Sequence, residues 1–226
     1  MPTVMITGAG RGLGLEFARQ YAADRWKIIA TCRDPDLAEG LRAMPGVQVH
    51  RMNVANFAEV EALAHTLRRQ PVDLLINNAG IYGPRPAMLG GVDYDAWGAV
   101  MLTNVFAPLK VSETFADLVS RSDQKMIVTI SSRMGSITEN DSGGSYIYRS
   151  SKAALNQVMK SLSVDLAGKG ITVGLLHPGW VRTDMGGPTA AIDAQTSVTG
   201  MRQVIAQMRD LGTGRFFNYD GTEIPW

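Results

Sequence analysis

The 226-residue chain has one cysteine, Cys32, so it can form neither an intramolecular disulfide nor a cysteine-built zinc cluster, and a reducing, cytoplasmic setting is expected. Histidine is nearly as scarce. His50, His65 and His177 are too scattered to propose a metal site, and no metal is expected. An excess of one charge is also missing: 22 Lys and Arg stand against 21 Asp and Glu, which leaves no basic field for nucleic acid. No apolar run approaches a membrane span, so no membrane partner is expected. The opening Met1-Pro2-Thr3-Val4-Met5-Ile6 lacks a basic segment, an adequate apolar core and a cleavage site, so no leader is expected either. Repeats, low-complexity tracts and linkers are absent, and the expectation is one domain over residues 1–226.

What is present is a regular alternation of short apolar runs and amphipathic stretches. Val4 to Ile6, Lys27 to Arg33, Val47 to Val54, Val72 to Ile76, Lys125 to Ser132 and Ile171 to Leu176 read as strands, with Arg215 to Tyr219 as an added edge strand. Helical spacing follows the glycine turn at Leu15 to Ala22 and recurs at Leu37 to Met44, Asn56 to Gln70, Tyr94 to Ser122 and Val198 to Leu211, with a kink expected at Pro108. Strands too apolar for a solvent face, alternating with helices, predict an α/β fold with a doubly wound parallel sheet covered on both sides. Three connections read as loops: Ile81 to Gly91, Arg133 to Ile147 as a mobile loop at the carboxyl edge of the sheet, and Asp184 to Ser197 as a substrate loop. The tail ending at Trp226 is expected to pack back onto the body.

The chemistry-bearing stretch is Tyr148-Arg149-Ser150-Ser151-Lys152. Its phenol and ammonium share a helix face with Leu155, Met159 and Leu166, which would set them against the body of the protein. A cation beside a phenol favours phenolate, so the expectation is a lowered Tyr148 pKa and a group able to act as acid or base. The first strand runs into Thr7-Gly8-Ala9-Gly10-Arg11-Gly12-Leu13-Gly14 and then a helix. Glycines there let the backbone approach a pyrophosphate, and the helix start offers free N–H groups to the anion.

Taken together, these segments resemble the short-chain dehydrogenase/reductase family over essentially the whole chain. The family's T-G-x-x-x-G-x-G turn resembles Thr7 to Gly14, its N-N-A-G is Asn77-Asn78-Ala79-Gly80, and its Y-x-x-x-K is Tyr148 to Lys152. The active-site asparagine is similar to Asn104. The strand-end serine is similar to Ser132, with Ser131 as the alternative. The P-G motif is Pro178-Gly179, followed by Val181 and Thr183. Ser-Ser-Arg-Met-Gly-Ser and the ending Tyr-Asp-Gly-Thr-Glu-Ile-Pro-Trp resemble the C-factor and sniffer-like carbonyl reductase branch.

This resemblance implies a Rossmann sheet and a hydride transfer between a nicotinamide and a small-molecule carbonyl or alcohol. Tyr148 would donate the proton, Ser132 would hold the oxygen, Lys152 would lower the phenol's pKa and bind the nicotinamide ribose, and Asn104 would hold a water linking Lys152 to solvent. Cofactor contacts would come from Gly8, Arg11, Gly12, Leu13 and Gly14, from Asn53 and Val54 at the adenine, and from Asn78, Ala79, Gly80, Pro178, Gly179, Val181 and Thr183. Cys32 stands where the family's NAD-selecting acid usually stands and Arg33 follows, so NADP(H) is the preferred cofactor. NAD(H) stays open through Asp34. The substrate pocket would be lined around Tyr82, Met134 to Gly144 and Met185 to Ala194. A homodimer or homotetramer through the two long helices, Tyr94 to Ser122 and Tyr148 to Lys169, is open, and so is a signalling or sensor role of C-factor type with incidental turnover.

Overall fold

The computed structural model describes residues 1–85 and 88–226; Pro86 and Ala87, within the loop expected at Ile81 to Gly91, lie outside the described residues. Seven strands, β1 (Thr3–Ile6), β2 (Lys27–Cys32), β3 (Val47–Arg51), β4 (Leu74–Asn77), β5 (Met126–Ile130), β6 (Thr172–His177) and β7 (Arg215–Asn218), form one sheet. Their order is β3-β2-β1-β4-β5-β6-β7, and every neighbouring pair is parallel. The chain therefore departs from β1 in both directions, which puts the topological switch between β1 and β4, at whose carboxyl ends such sheets bind ligands.

Alternation along each strand sends side chains to opposite faces, and both faces are covered. On one side Met5, Leu75, Ile127 and Val173 pack against α3 (Phe57–Thr66), α5 (Ala107–Ser120) and α6 (Tyr146–Asp165), through Val60, Phe115, Leu155 and Met159. On the other, Val4, Ile6, Ile28 and Leu176 pack against α1 (Gly12–Ala23) and α7 (Ala194–Leu211), through Phe17, Val198, Met201 and Met208. Leu41 of the short α2 (Glu39–Arg42) joins this second core. The apolar stripe Leu155, Met159 and Leu166 is buried as expected, which seats the Tyr148 and Lys152 turn on the sheet. Ala154 and Val158, read as available for an interface, are partly buried and packed against the first core.

Several expected boundaries move. The third strand ends at Arg51 rather than Val54, because Asn53 already turns: its Oδ1 accepts from the Ala55 N–H at 3.1 Å. The helical pattern of residues 37–44 shrinks to α2. The long helix over 94–122 is interrupted before the proline: α4 (Tyr94–Met101) passes into a π-helical turn, Leu102–Phe106, and then into α5. Pro108 has no N–H to offer the Asn104 carbonyl four residues earlier, so the chain takes a wider turn instead of a simple kink. α6 ends at Asp165, followed by a tight turn at Ala167–Lys169. The last helix starts at Ala194, so the substrate loop is shorter than 184–197. Asp193 caps it, its carboxylate accepting from the Thr196 N–H at 2.7 Å.

The segment 133–147 is less free than a mobile loop. It opens with a turn at Arg133–Gly135, enters α6 at Tyr146, and is tied to the tail, since the Ile137 and Thr138 N–H groups both donate to the Trp226 carbonyl at 3.0 Å. Trp226 does pack back: its ring stacks on Phe216 at 5.9 Å. No helix among the described residues is long and apolar enough to cross a membrane.

Candidate active site

Tyr148, Lys152, Ser132 and Asn104 are all buried, and they converge beyond the carboxyl ends of β4 and β5. The two strand-end serines have different surroundings. Ser131 donates to Asn156 of α6 at 2.5 Å and is used up in packing, whereas Ser132 faces the Tyr148 phenol while its Oγ accepts from the Met134 N–H at 3.2 Å. Burial pushes the phenol up to about 12; the Ser132 hydroxyl opposes this by favouring phenolate. Lys152 is pushed down to about 8 by burial, and its Nζ donates to the Ile130 carbonyl at 2.9 Å, 5.8 Å from the Tyr148 ring centroid. The expectation that Lys152 brings the phenol towards neutrality is thus corrected. Desolvation outweighs a cation that is itself desolvated and turned to a backbone carbonyl.

Asn104 sits in the π-helical turn. Its Oδ1 accepts from the Ile81 N–H at 2.9 Å, and its Nδ2 donates to the Ile81 carbonyl at 2.8 Å and to Ser151 at 3.1 Å. The amide therefore clamps the chain leaving β4 to the helix that carries Tyr148. A Cβ added at Gly80 would lie 3.3 Å from Asn104 Oδ1 and 3.8 Å from Lys152 Nζ, so Gly80 faces both.

The glycine turn and the N-N-A-G segment are built as one unit. Thr7 Oγ1 accepts from the Asn78 and Ala79 N–H groups at 3.0 and 3.1 Å, and Asn78 Nδ2 donates back to the Thr7 and Gly8 carbonyls at 2.9 and 3.1 Å. Gly8 (φ +65°) would drive a Cβ to 2.9 Å from Ala79 Cα. A Cβ at Gly14 would meet the Gly8 carbonyl oxygen at 2.3 Å, so that position admits glycine alone. Gly12 (φ +55°) faces Thr183, and Leu13 follows it in the first turn of α1. α1 has no side-chain cap at Arg11, which leaves its first N–H groups to an anion approaching over the glycines. This cradle fits a pyrophosphate.

At the far end of the cradle, Arg33 is exposed beyond β2, with no ion-pair partner among the described residues. Asp34, the competing acid, has entered a turn in which its Oδ1 accepts from the Asp36 N–H at 3.2 Å. Arg11 pairs with Asp184, both side chains largely exposed. Asn53 spends its Oδ1 on the turn and keeps its N–H₂ free to donate, and Val54 beside it is buried. On the opposite side, Gly179 (φ +82°) lies against Ile192 and Tyr219, and the Pro178 carbonyl accepts from Ser197 at 2.5 Å. Val181 bridges Ile192, and Thr183 Oγ1 accepts from the Gly186 N–H at 3.2 Å, so residues 178–193 close on themselves as a stapled loop.

Three features escaped the sequence. Tyr82 stacks on Tyr148 with centroids 4.3 Å apart and planes 18° apart, where the sequence marked it only as pocket lining. The Arg85 guanidinium lies 3.8 Å from the Tyr82 centroid, and its Nη2 donates to the Met185 carbonyl at 3.0 Å. His177, at the end of β6, is pushed down to about 4 by burial, with the Arg133 and Lys152 charges adding to it, so it is neutral at pH 7. Among the described residues there is no cluster of three or more His, Cys, Asp or Glu placed to hold a metal.

The family model described as short chain dehydrogenase matches residues 2–194. C-signal of Myxococcus xanthus is 45% identical over 167 residues, which is 74% of this chain and 100% of that protein. The carbonyl reductase Sniffer of D. melanogaster has a TM-score of 0.91 at 32% identity, with 100% of both chains covered. An NADPH-bound carbonyl reductase from chicken fatty liver has a TM-score of 0.92 at 32% identity, over 100% of this chain and 99% of that one.

Proposed function

The chain belongs to the short-chain dehydrogenase family, and on that premise we propose that it is an NADP(H)-dependent oxidoreductase acting on small-molecule carbonyls or alcohols, with Tyr148 as its general acid and base. The observation that carries this reading is the burial of Tyr148 against Ser132 and beside Lys152, at the same sheet edge as the glycine cradle. The cofactor, when bound, supplies or accepts the hydride. The protein must do the rest. As negative charge develops on the carbonyl oxygen, Ser132 Oγ donates a hydrogen bond to it and Tyr148 Oη delivers a proton. A phenol held at about 12 is fully protonated at pH 7, which suits it to the donor role in reduction. Lys152 spends one of its three N–H bonds on Ile130 and keeps two for ribose hydroxyls. Asn104 fixes the loop that carries Gly80 at the nicotinamide side.

NADP(H) is favoured over NAD(H) by Arg33, with Asp34 diverted into its turn, and the NADPH-bound chicken reductase supports the same preference. An exposed charge-assisted hydrogen bond contributes toward the lower end of about 1.5–3 kcal/mol. Arg33→Ala is therefore expected to weaken NADPH binding roughly tenfold and leave NADH nearly unchanged. Fluorescence titration of both cofactors checks it, and equal loss of both would remove Arg33 from the 2′-phosphate.

A second reading, a nucleotide-dependent signalling or sensor protein with incidental turnover, draws on the 45% identity to C-signal. NADPH consumption by the purified protein against a panel of aldehydes, ketones and quinones separates the two. Saturable turnover of at least one carbonyl supports the reductase, and tight NADPH binding with no turnover across the panel supports the sensor.

A further inference from the structure

The mouth of the site is held by a three-layer stack of which the proposed chemistry uses only Tyr148. Tyr148 is covered by the Tyr82 ring, and Tyr82 by the Arg85 guanidinium. Tyr82 is fixed in that position, since its hydroxyl lies 3.2 Å from Ser145 Oγ just before α6. Arg85 is exposed and spends one N–H on the Met185 carbonyl. Its other N–H donors remain available, since a guanidinium has five. Asp184 pairs with Arg11 and Glu139 with Arg133, while Asp141 of the same loop is exposed. Among the described residues no carboxylate pairs with Arg85. Its charge also reaches the Tyr148 phenol, where it favours the ionised form. The loops that leave this edge of the sheet also expose large apolar side chains, among them Ile81, Ile137, Tyr146, Trp180 and Met185.

We propose that Arg85 is a specificity-determining residue that pairs with a carboxylate on the substrate, so that the preferred substrates are carbonyl compounds with an apolar body and an anionic group. The geometry supports each part of that description. An apolar body covers the exposed apolar side chains of this sheet edge. A carboxylate meets the planar fork of the guanidinium, which recognises it with two parallel N–H bonds where an ammonium makes only point contacts. A guanidinium held on an aromatic face, with no carboxylate of its own among the described residues, presents its N–H fork to a ligand already oriented.

This inference rests on the reductase reading, and its test separates the two. Turnover of 4-carboxybenzaldehyde is compared with that of its methyl ester, methyl 4-formylbenzoate, in the wild type, Arg85→Met and Arg85→Lys, all with NADPH. The pair differs in charge, and intrinsic reactivity cancels when the acid-to-ester ratio of kcat/KM is compared between variants. Arg85→Met should lower that ratio about tenfold, through KM rather than kcat, and Arg85→Lys should restore part of it. A ratio unchanged in Arg85→Met would overturn the proposal while leaving the reductase reading intact. If neither aldehyde is turned over, isothermal titration of the NADPH complex with benzoate and with methyl benzoate reads the same discrimination. Benzoate preference that is lost in Arg85→Met upholds Arg85 as the carboxylate site without turnover of either aldehyde, and indifference to charge sinks it.

Discussion

Tyr148→Phe is expected to lower NADPH-dependent carbonyl reduction by about 10²–10⁴-fold while NADPH still binds with nearly wild-type affinity. The substitution removes one oxygen and keeps the ring, so the stack on Tyr82 at 4.3 Å and the buried apolar surface survive. The group removed is the buried phenol, its pKa pushed up to about 12, that is proposed as the proton donor. Ser132 keeps its contact with the Met134 N–H and remains ordered after losing its phenol neighbour. Stability should accordingly change by no more than about 1 kcal/mol, the net worth of an ordinary hydrogen bond. Steady-state kinetics with NADPH titration and a thermal melt measure all three quantities. Retention of more than about a tenth of the activity would take the acid role away from Tyr148, because it falls outside even the low end of what general acid catalysis contributes.

Much of the architecture was legible because the strands of a doubly covered parallel sheet leave a strong mark. Leu74 to Ile76 and Met126 to Ile130 are buried throughout and read as apolar runs, the second broken only by Thr129. The glycine turn was legible for the same local reason: a Cβ at Gly8 or Gly14 has nowhere to go, so the sequence must carry glycine there. What escaped depends on contacts between distant segments. The start of α7 was set too late because Ala194, Gln195 and Thr196 have no apolar period; the Asp193 cap that begins the helix is a single residue among turn-forming neighbours. The π-helical turn was read as a proline kink, since Pro108 is visible in sequence while the clamp from Asn104 to Ile81 is not. Arg85 stands among prolines in an evident loop, and nothing local says that Tyr82 carries it onto Tyr148. The direction of the Tyr148 pKa is hidden on the same ground: the Lys152 spacing is local, whereas the desolvation that raises the phenol comes from the whole fold.

Lys152→Met should lower kcat/KM for NADPH about tenfold through weaker cofactor binding, yet it should not cost stability. The native state holds the ammonium buried, with its pKa near 8 against 10.5 in an exposed chain. Below pH 8 both states carry the proton and the fold bears the full penalty of burying the charge. Between about 8 and 10.5 the unfolded chain binds more protons than the native one, so stability rises with pH across that window and is level above it. The gap corresponds to on the order of 3 kcal/mol, at 1.36 kcal/mol for each pKa unit. Methionine removes the penalty, although the Ile130 carbonyl loses its lysine donor, which costs about 1–3 kcal/mol. The two nearly offset at pH 7, which leaves the variant as stable as the wild type or slightly more so. Cofactor binding should weaken about tenfold, because the two N–H groups assigned to ribose hydroxyls go with the ammonium. Urea denaturation of both proteins at pH 7 and pH 9.5 checks the linkage: the wild type should gain on the variant as pH rises. A variant much less stable at pH 7 would make Lys152 a packing residue, and an unchanged NADPH dissociation constant would sever it from the ribose.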